Sequence, residues 1–228
     1  MGPSQQEMVI LSGMGNVFFL HWKIDPILLV SLIPSGLNLD LYENHAWVSF
    51  DGFGLKNGRP RGLPSFPVLS HFSELNLRTY VTHNNKAGVH FLSVECSNAV
   101  ASALVKCSTE VPYESSKIEE NKGLFQAQQT VKSHNFQLNY SPGEIISNPT
   151  ELDRWLPERS ALHQGIASKN RLISYDIHHK QWSLQKLTIN SLLVNYPSFN
   201  HFFKTQPTLT PFSAGVTNLA WSKIKQRL

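Results

Sequence analysis

The sequence has little charge and no concentration of it. Charged residues make up 16% of the 228 residues, against roughly 25% in ordinary soluble domains. The 20 basic and 16 acidic residues leave a net charge of +4, and they form no long block of one sign. Aromatic residues do not alternate with arginines as a stacking platform would require, so nucleic acid is not an expected partner. The low charge instead favours a large core, a lined cavity or a subunit interface.

Cysteine is also scarce, and the two cysteines are far apart. Cys96 and Cys107 flank the segment SNAVASALVK, which predicts a helix. At about 1.5 Å per residue, this helix would separate the two thiols by about 16 Å, which is beyond disulfide reach. We therefore expect reduced thiols and a cytoplasmic protein.

Long apolar runs and familiar functional motifs are missing as well. The stretch FFLHWKIDPILLVSLI (18–33) is interrupted by polar residues and a proline, so we expect no membrane partner. There is no G-x-S-x-G, and GMGN and GFGLKNG lack the spacing of nucleotide-binding loops. His178 and His179 would face opposite sides of a strand, with no further ligand at suitable spacing. We predict no metal and no other cofactor.

Short alternating patterns separated by turn residues predict a mainly antiparallel β protein. The clearest hairpin joins SELNLRTYV to GVHFLSVE across THNNKA, and the last predicted strands are expected to close an edge of the sheet. Helices are predicted after Asp25 and Pro26, over residues 97–108, and after Thr150. No repeat or linker divides the chain. We expect residues 1–228 to form one α+β domain, a curled antiparallel sheet with two or three short helices.

Residues 51–71 are rich in glycine and proline and predict a long irregular loop. Arg59 and Arg61 flank a proline within it. In an extended backbone both arginines project to one side, where they could clamp a carboxylate or phosphate. The alternative is that they pair with Asp51 or Glu74 and pin the loop.

The strand FSELNLRTYV (72–81) carries a polar row on one face. Successive side chains point to opposite faces, so Leu75 and Leu77 belong to a core face. The other face takes Phe72, Glu74, Asn76, Arg78 and Tyr80. This row either meets bulk water or lines the inside of a curved sheet, where small ligands bind against a few polar groups.

Two further segments carry candidate side chains. The predicted strand 16–23 has a similar row, Phe19, His21 and Lys23. Lys23 is either a solvated lysine at a strand end or, beside Glu74 or Arg78, an amine of lowered pKa. In LPERSAL, Glu158 and Arg159 are interpreted as a buried ion pair that fixes the small helix to the sheet. The alternative is a functional Arg159 at the mouth of a cavity.

Several segments occur in an order that resembles a known family. They are FLHWKIDP, LIPSGLNLD, RPRGLPSFPVLSHFSELNLRTYV, AGVHFLSVE, VPYESS, LPERSAL and DIHHKQWSLQ. From about residue 16 to about residue 187, the chain resembles the YqjF-like family of uncharacterised bacterial proteins, a branch of the acetoacetate decarboxylase-like superfamily. The resemblance implies one cone-shaped antiparallel β-barrel around an interior cavity.

The resemblance also implies site residues. In the decarboxylases a lysine forms a Schiff base with a β-keto acid. Glu74 falls at the position of their cavity glutamate, and Lys23 falls near that of their substrate-side arginine. Where their reactive lysine lies, this sequence reads Pro112, Tyr113 and Glu114, while Lys106 and Lys117 are out of register. We therefore expect the cavity without Schiff-base chemistry.

These observations predict a protein that binds a small anionic or carbonyl-bearing molecule, and they leave open whether it catalyses a reaction. Glu74 would act as acid, base or hydrogen-bond anchor, since burial can raise a carboxyl pKa toward neutrality. The expected ligand-binding residues are Lys23, Arg59, Arg61, Asn76, Arg78 and Tyr113. The alternative, from a different class, is a non-catalytic binding or interaction protein that acts as a homo-oligomer.

Overall fold

The computed structural model describes residues 8–59, 71–166 and 171–224. Most of them lie in strands. The strands are β1 (Met8–Ile24), β2 (Asn38–Leu39), β3 (Ala46–Arg59), β4 (His71–His83), β5 (Lys86–Cys96), β6 (Tyr113–Ser115), β7 (Lys117–Asn121), β8 (Leu124–Gln129), β9 (His134–Ile145), β10 (Ala161–Ile166), β11 (Arg171–His178), β12 (Gln185–Asn195), β13 (Pro211–Ser213) and β14 (Val216–Lys223). The helices are α1 (Ile27–Val30), α2 (Ala99–Thr109), α3 (Glu151–Trp155) and a 3-10 turn at Asn200–Phe202.

Seven strands close into a ring, in the order β1, β3, β4, β5, β10, β11 and β14. Strand β14 pairs with β11 on one side and with β1 on the other, which closes the ring. Neighbouring strands are antiparallel except for β5 and β10, which are parallel. The predictions of a mainly antiparallel, curled sheet and of an edge closed by the last strands are confirmed.

A continuation of the same hydrogen-bonded sheet, called the second sheet below, covers one side of the ring. Short β13 leads from β1 to β12, which is followed in order by β9, β8 and β7. Apolar side chains of both sheets form one core between them, in which the ring of Phe18 lies 5.1 Å from that of Phe125 and 5.7 Å from that of Phe136. The same core takes the outward-facing Leu75 and Leu77 of β4. The opposite face of β1, β3 and β4 therefore points into the ring.

The hairpin of β4 and β5 was predicted correctly. Its turn residues Asn84 and Asn85 have φ values of 49° and 59°, the left-handed conformation that two-residue hairpin turns require and that asparagine tolerates. Strands β8 and β9 form a further antiparallel pair.

Two of the predicted helices match the structure, and the third is shorter than expected. Helix α2 is capped by Asn98, whose Oδ1 accepts from the amides of residues 100 and 101 at 3.0 Å. Helix α3 begins with a capping box between Thr150 and Asp153. Helix α1 ends after one turn, because among its four residues only Leu29 is buried and no packed face extends it.

The prediction of a loop over residues 51–71 is wrong for its first part. Strand β3 continues to Arg59, and it pairs with β1 and β4 through Asp51, Gly52, Phe53 and Lys56. Because a neighbouring strand pairs with β3 on each side, the glycines are accommodated within a strand. Residues 60–70 lie outside the described residues.

The two cysteines are free, with Cys96 buried at the end of β5 and Cys107 exposed on α2. Within the described ranges, no helix is long and apolar enough to cross a membrane.

Gly52 should tolerate no larger side chain. Its cross-strand partner is Phe18, and a Cβ atom on Gly52 would overlap the Phe18 ring. We expect Gly52→Ala to lower the free energy of unfolding by about 1–3 kcal/mol, the usual cost of overpacking a core. Denaturant unfolding would measure this loss. Gly143→Ala is the matched control, because its Cβ would meet Lys186 at an ordinary 3.4 Å. Equal stability of the two variants would contradict the packing described for Phe18.

Candidate functional site

Strands β1, β3, β4 and β5 arrange their inward-facing residues in four layers. Strand pairing aligns one residue from each strand in every layer. Layer one holds Val17, Phe53, Glu74 and Cys96; layer two holds Phe19, Asp51, Asn76 and Val94; layer three holds His21, Ser49, Arg78 and Phe91; layer four holds Lys23, Trp47, Tyr80 and Val89. The polar row of β4 thus crosses all four layers.

This row is buried. Glu74, Asn76, Arg78 and Tyr80 are only 2%, 3%, 9% and 0% exposed. The alternative in which the row meets bulk water is therefore wrong, and both faces of β4 are inside the protein.

An ion pair links layers two and three. The Arg78 Nε lies 2.9 Å from Asp51 Oδ2, and the Arg78 guanidinium carbon lies 5.9 Å from the centre of the Phe19 ring and 5.8 Å from that of Tyr80. Burial raises the pKa of Asp51 to about 7, although the Arg78 charge acts in the opposite direction. The carboxyl group of Asp51 is thus paired with the guanidinium of Arg78 on the neighbouring strand β4.

Glu74, in layer one, is surrounded by hydrogen-bonding groups of three kinds. The Asn76 side-chain amide donates to its Oε2 at 3.4 Å, and the Tyr113 hydroxyl hydrogen-bonds to the same carboxyl group. Cys96 is its cross-strand neighbour. Burial raises the pKa of Glu74 to about 7, and the bonds from Tyr113 and Asn76 lower it in part. The carboxyl group can therefore exchange a proton near neutral pH.

A third group, centred on His21, was not assigned a role from the sequence. Its Nδ1 lies 2.5 Å from the Ser49 hydroxyl, which lies 2.7 Å from the hydroxyl of Tyr80. Burial, together with the Arg78 charge, lowers the pKa of His21 well below its usual value, so the imidazole is neutral. The signal was present in HAWVSFDGF, where residues 47, 49, 51 and 53 alternate onto one face, but the loop predicted over residues 51–71 concealed it.

Several inward-facing polar atoms have no hydrogen-bond partner among the described residues. They are Trp47 Nε1, His21 Nε2, Asp51 Oδ1, Glu74 Oε1, Asn76 Oδ1, Arg78 Nε and Arg78 Nη2. Buried polar atoms are normally satisfied by protein groups or ordered water, so such a group of unpartnered atoms requires an explanation.

The other predicted residues lie elsewhere or beyond the described region. Lys23 belongs to layer four, but its side chain is exposed at the end of β1. Arg59 ends β3, and its side chain, like the whole of Arg61, lies outside the described residues. Tyr113, as predicted, stands close to Glu74.

Arg159 does not pair with Glu158. Its Nη1 donates to Asp40 at 2.6 Å, and its guanidinium lies 3.7 Å from the ring of Trp155 and 4.9 Å from that of Tyr80. Glu158 instead accepts from the backbone amide of Trp182 at 2.8 Å. The predicted attachment of helix α3 to the sheet thus exists, but its anion is Asp40.

No lysine in the described part of the chain is buried. All are exposed except Lys86, which is half-buried and paired with Asp176. Lys106 and Lys117, the two nearest in sequence to Tyr113, are exposed. Within the same ranges no group of three or more His, Cys, Asp or Glu residues is arranged to hold a metal ion.

A protein-family comparison agrees with this architecture. The DUF2071 family, described as "Uncharacterized conserved protein", matches residues 13–217. The chain belongs to the DUF2071 family. Over 177 residues it is 36% identical to the uncharacterized protein YqjF of Bacillus subtilis strain 168, covering 75% of this chain and 72% of that protein. The resemblance to YqjF-like proteins is confirmed.

Solved structures show which fold this DUF2071 protein has. An acetoacetate decarboxylase-like enzyme from Sphingomonas wittichii RW1 matches with a TM-score of 0.64 at 12% identity, over 96% of this chain and 94% of that chain. Acetoacetate decarboxylase from Legionella pneumophila gives 0.62 at 13% identity, over 99% and 92%. The enduracididine biosynthesis enzyme MppR gives 0.61 at 12% identity, over 100% and 90%. At these identities the likeness establishes an acetoacetate decarboxylase-like fold alone.

Titration of Glu74 should appear in the pH dependence of stability. Its pKa is raised on folding, so the folded state binds the proton more tightly, and stability falls as pH rises from the unfolded pKa toward about 7. Between about pH 5.5 and about pH 8.5, we expect the wild type to lose about 2 kcal/mol more free energy of unfolding than Glu74→Gln. Urea unfolding at a series of pH values measures both profiles. Parallel profiles would show that Glu74 titrates in the folded protein as it does in the unfolded chain.

Proposed function

We infer that the inside of the ring binds a small anionic or carbonyl-bearing molecule, held by Glu74, Asn76, Arg78 and Tyr113. The observation that carries this inference is the set of unpartnered polar atoms on six residues of the inward layers. Leaving one buried donor or acceptor unsatisfied costs roughly 1–3 kcal/mol. A core built for stability alone would replace such groups by apolar ones, whereas a ligand can satisfy them together.

The surroundings of the polar groups also suit a small ligand. Layer one is continuous with an apolar cluster of Val17, Phe19, Phe53, Trp182 and Leu184. On the other side, Tyr80, Phe91, Val94 and Tyr113 belong to a second apolar cluster. A few placed polar groups between apolar walls are typical of small-molecule sites.

Glu74 is the proposed proton-exchanging group. A carboxyl group of pKa about 7 is present in both forms near neutral pH. In its neutral form it donates a hydrogen bond to a carbonyl or carboxylate oxygen, and in its ionised form it accepts a proton from the ligand. Glu74 can therefore serve as acid, base or anchor without a cofactor.

Proteins of the same fold bind ligands of this class. MppR has been solved in complex with pyruvate and with a condensation product of pyruvate and imidazole 4-carboxaldehyde. Pyruvate is both anionic and carbonyl-bearing. This supports the proposed ligand class for the present chain, with Lys23, Arg59 and Arg61 as further proposed contacts.

The proposed chemistry does not pass through a Schiff base. A reactive amine must be unprotonated, which proteins achieve by burying a lysine or placing it beside another cation. Lys106 and Lys117 are exposed, and Tyr113 occupies the place where the resemblance puts the reactive lysine. We therefore propose a cavity whose acid–base group is retained and whose amine is not.

A second candidate function is that of an interaction protein that associates with itself. Helix α1 favours it, because Ile27, Leu28 and Val30 are 71%, 45% and 57% exposed. These side chains form an apolar patch on the outside of the protein, so this function would not depend on Glu74.

Ligand binding should be lost when Glu74 changes. We expect a screen of small carboxylates, oxo acids, sugars and phosphates to give a carboxylate or oxo acid that stabilises the wild type. At a hundred times its Kd such a ligand adds about 2.7 kcal/mol, a thermal shift of about 5–10 °C at this chain length. Glu74→Gln should abolish the shift, and Glu119→Gln, an exposed glutamate of β7, should keep it. A screen without any shift, together with a concentration-dependent oligomer in light scattering, would favour the second candidate.

Borohydride trapping tests the absence of Schiff-base chemistry. After incubation with acetoacetate and reduction, we expect intact-mass spectrometry to show no specific lysine adduct. Non-specific modification of exposed lysines would be equal in the wild type and in Glu74→Gln. A single adduct on one lysine, formed by the wild type and not by the variant, would contradict the proposal.

A further inference from the structure

The unpartnered atoms inside the ring divide into an acceptor side and a donor side. Glu74 Oε1, Asn76 Oδ1 and Asp51 Oδ1 lie in layers one and two, and all are oxygen acceptors when both carboxyl groups are ionised. The side-chain nitrogen of Asn76 donates to Glu74, so the unpartnered atom is the amide oxygen. This oxygen is an acceptor at every pH, because an amide does not titrate. Arg78 Nη2, in layer three, is a donor. His21 Nε2 is a donor or an acceptor according to the tautomer of the ring.

The hydroxyl groups beside His21 determine its tautomer. Among the described residues, the Tyr80 hydroxyl contacts only Ser49, at 2.7 Å, and His21 Nδ1, at 3.3 Å. If Nδ1 carried the hydrogen and donated to Ser49, then Ser49 would donate to Tyr80, and the Tyr80 hydrogen would find no acceptor. The opposite order, from Tyr80 to Ser49 to Nδ1, uses every hydroxyl hydrogen. The hydrogen of the neutral imidazole then lies on Nε2.

His21 and Arg78 share a layer and border the same aromatic ring. Strand pairing places them in layer three, with Ser49 between them. Both border the Phe19 ring, whose centre lies 6.0 Å from the centre of the imidazole and 5.9 Å from the guanidinium carbon. His21 is completely buried, so bulk water does not compete for its Nε2.

We propose that His21 Nε2 and Arg78 Nη2 together bind the carboxylate of the ligand, that a hydroxyl group of the same molecule donates its one hydrogen to the neighbouring oxygens Asn76 Oδ1 and Glu74 Oε1, which share it, and that the ligand is therefore a small hydroxy acid. This inference rests on the proposed function and narrows its ligand class. A ketone has no hydrogen to offer the Asn76 oxygen, whereas an alcohol does. Layers one and three lie about 13 Å apart along β4, and Arg78 reaches back toward Asp51 in layer two. The distance that then remains between the Arg78 guanidinium and the oxygens of Asn76 and Glu74 suits an acid of about four carbon atoms.

The first test compares matched acids. Calorimetric titration of the wild type at about pH 8, where Glu74 is mostly ionised and its Oε1 accepts a hydrogen bond, would use 3-hydroxybutyrate, acetoacetate and butyrate. We expect the hydroxy acid to bind at least about tenfold more tightly than the other two, because each of them leaves a buried oxygen unpaired. Equal or tighter binding of acetoacetate would overturn the hydroxy-acid assignment. If acetoacetate binds the wild type but not Glu74→Gln, the hydroxy-acid assignment would be wrong and the proposed function would still hold.

The second test separates the two nitrogen atoms of His21. In His21→Asn the shorter amide can keep the contact with Ser49 but places no donor at the position of Nε2, whereas the longer amide of His21→Gln reaches it. We expect His21→Asn to weaken 3-hydroxybutyrate binding at least about tenfold and His21→Gln to restore most of it. His178→Asn, at the exposed end of β11, is the control and should bind normally. Normal binding by His21→Asn would overturn the carboxylate site.

A spectroscopic measurement tests the tautomer even if a His21 variant folds poorly. With ¹⁵N-labelled histidine, long-range proton–nitrogen correlation distinguishes a protonated ring nitrogen from an unprotonated one. We expect His21 in the wild type to carry its hydrogen on Nε2, and Tyr80→Phe to change the signal of Nδ1. A hydrogen on Nδ1 of the wild type would overturn the donor assignment. Failure of every acid in the screen to bind, in the wild type as in Glu74→Gln, would instead reject the proposed function itself.

Discussion

The ion pair between Asp51 and Arg78 is the interaction on which the inside of the ring depends. A single charge in so buried a place is strongly disfavoured, and a charged pair is tolerated only when geometry and further hydrogen bonds compensate for lost hydration. The 2.9 Å contact supplies the attraction across two neighbouring strands, while Asp51 Oδ1 and Arg78 Nη2 keep no hydrogen-bond partner among the described residues. The Arg78 charge in turn acts on the groups around it, lowering the pKa of His21 and opposing the effect of burial on Asp51. A polar strip can therefore exist between two apolar clusters.

The other face of the same strands is apolar and must also be buried. Leu20, Phe50, Leu75 and Leu77 pack against the second sheet, while the residues between them form the inward layers. A slip of one residue in the pairing of β3 and β4 would exchange apolar and ionisable side chains between the two faces. The register that makes the core is thus the register that brings Glu74, Asn76 and Arg78 together inside the ring. Stability and the candidate site depend on one pattern of alternation.

Much of this pattern was readable from the sequence. Alternation in FSELNLRTYV predicted which side chains share a face, and the family resemblance predicted the fold that the solved structures confirm. Alternation did not say that the polar face is buried as well, because that depends on closure of the ring by strands distant in the chain. Asp51 was assigned to a loop because glycines such as Gly52 and Gly54 are typical of loops. In the structure this segment is a strand that pairs with β1 and β4.

The partners of the site residues were harder to predict than the residues themselves. Arg159 finds Asp40 across 119 positions of sequence, and Tyr113 reaches Glu74 from a strand beyond α2. Such pairs follow from the closure of the ring, which local propensity does not encode. His21 illustrates the same limit. Its partner Ser49 lies on the adjacent strand, 28 positions away, so its position beside an alternating row was visible and its hydrogen-bond chain was not.

The most direct test of the account is a crystal structure of the protein with the tightest-binding small acid. The account predicts that this acid lies inside the ring, with oxygen atoms within hydrogen-bond distance of both Glu74 Oε1 and Arg78 Nη2. An acid bound elsewhere, with only ordered water satisfying the polar atoms of the inward layers, would contradict it. The polar strip would then be a hydrated part of the core.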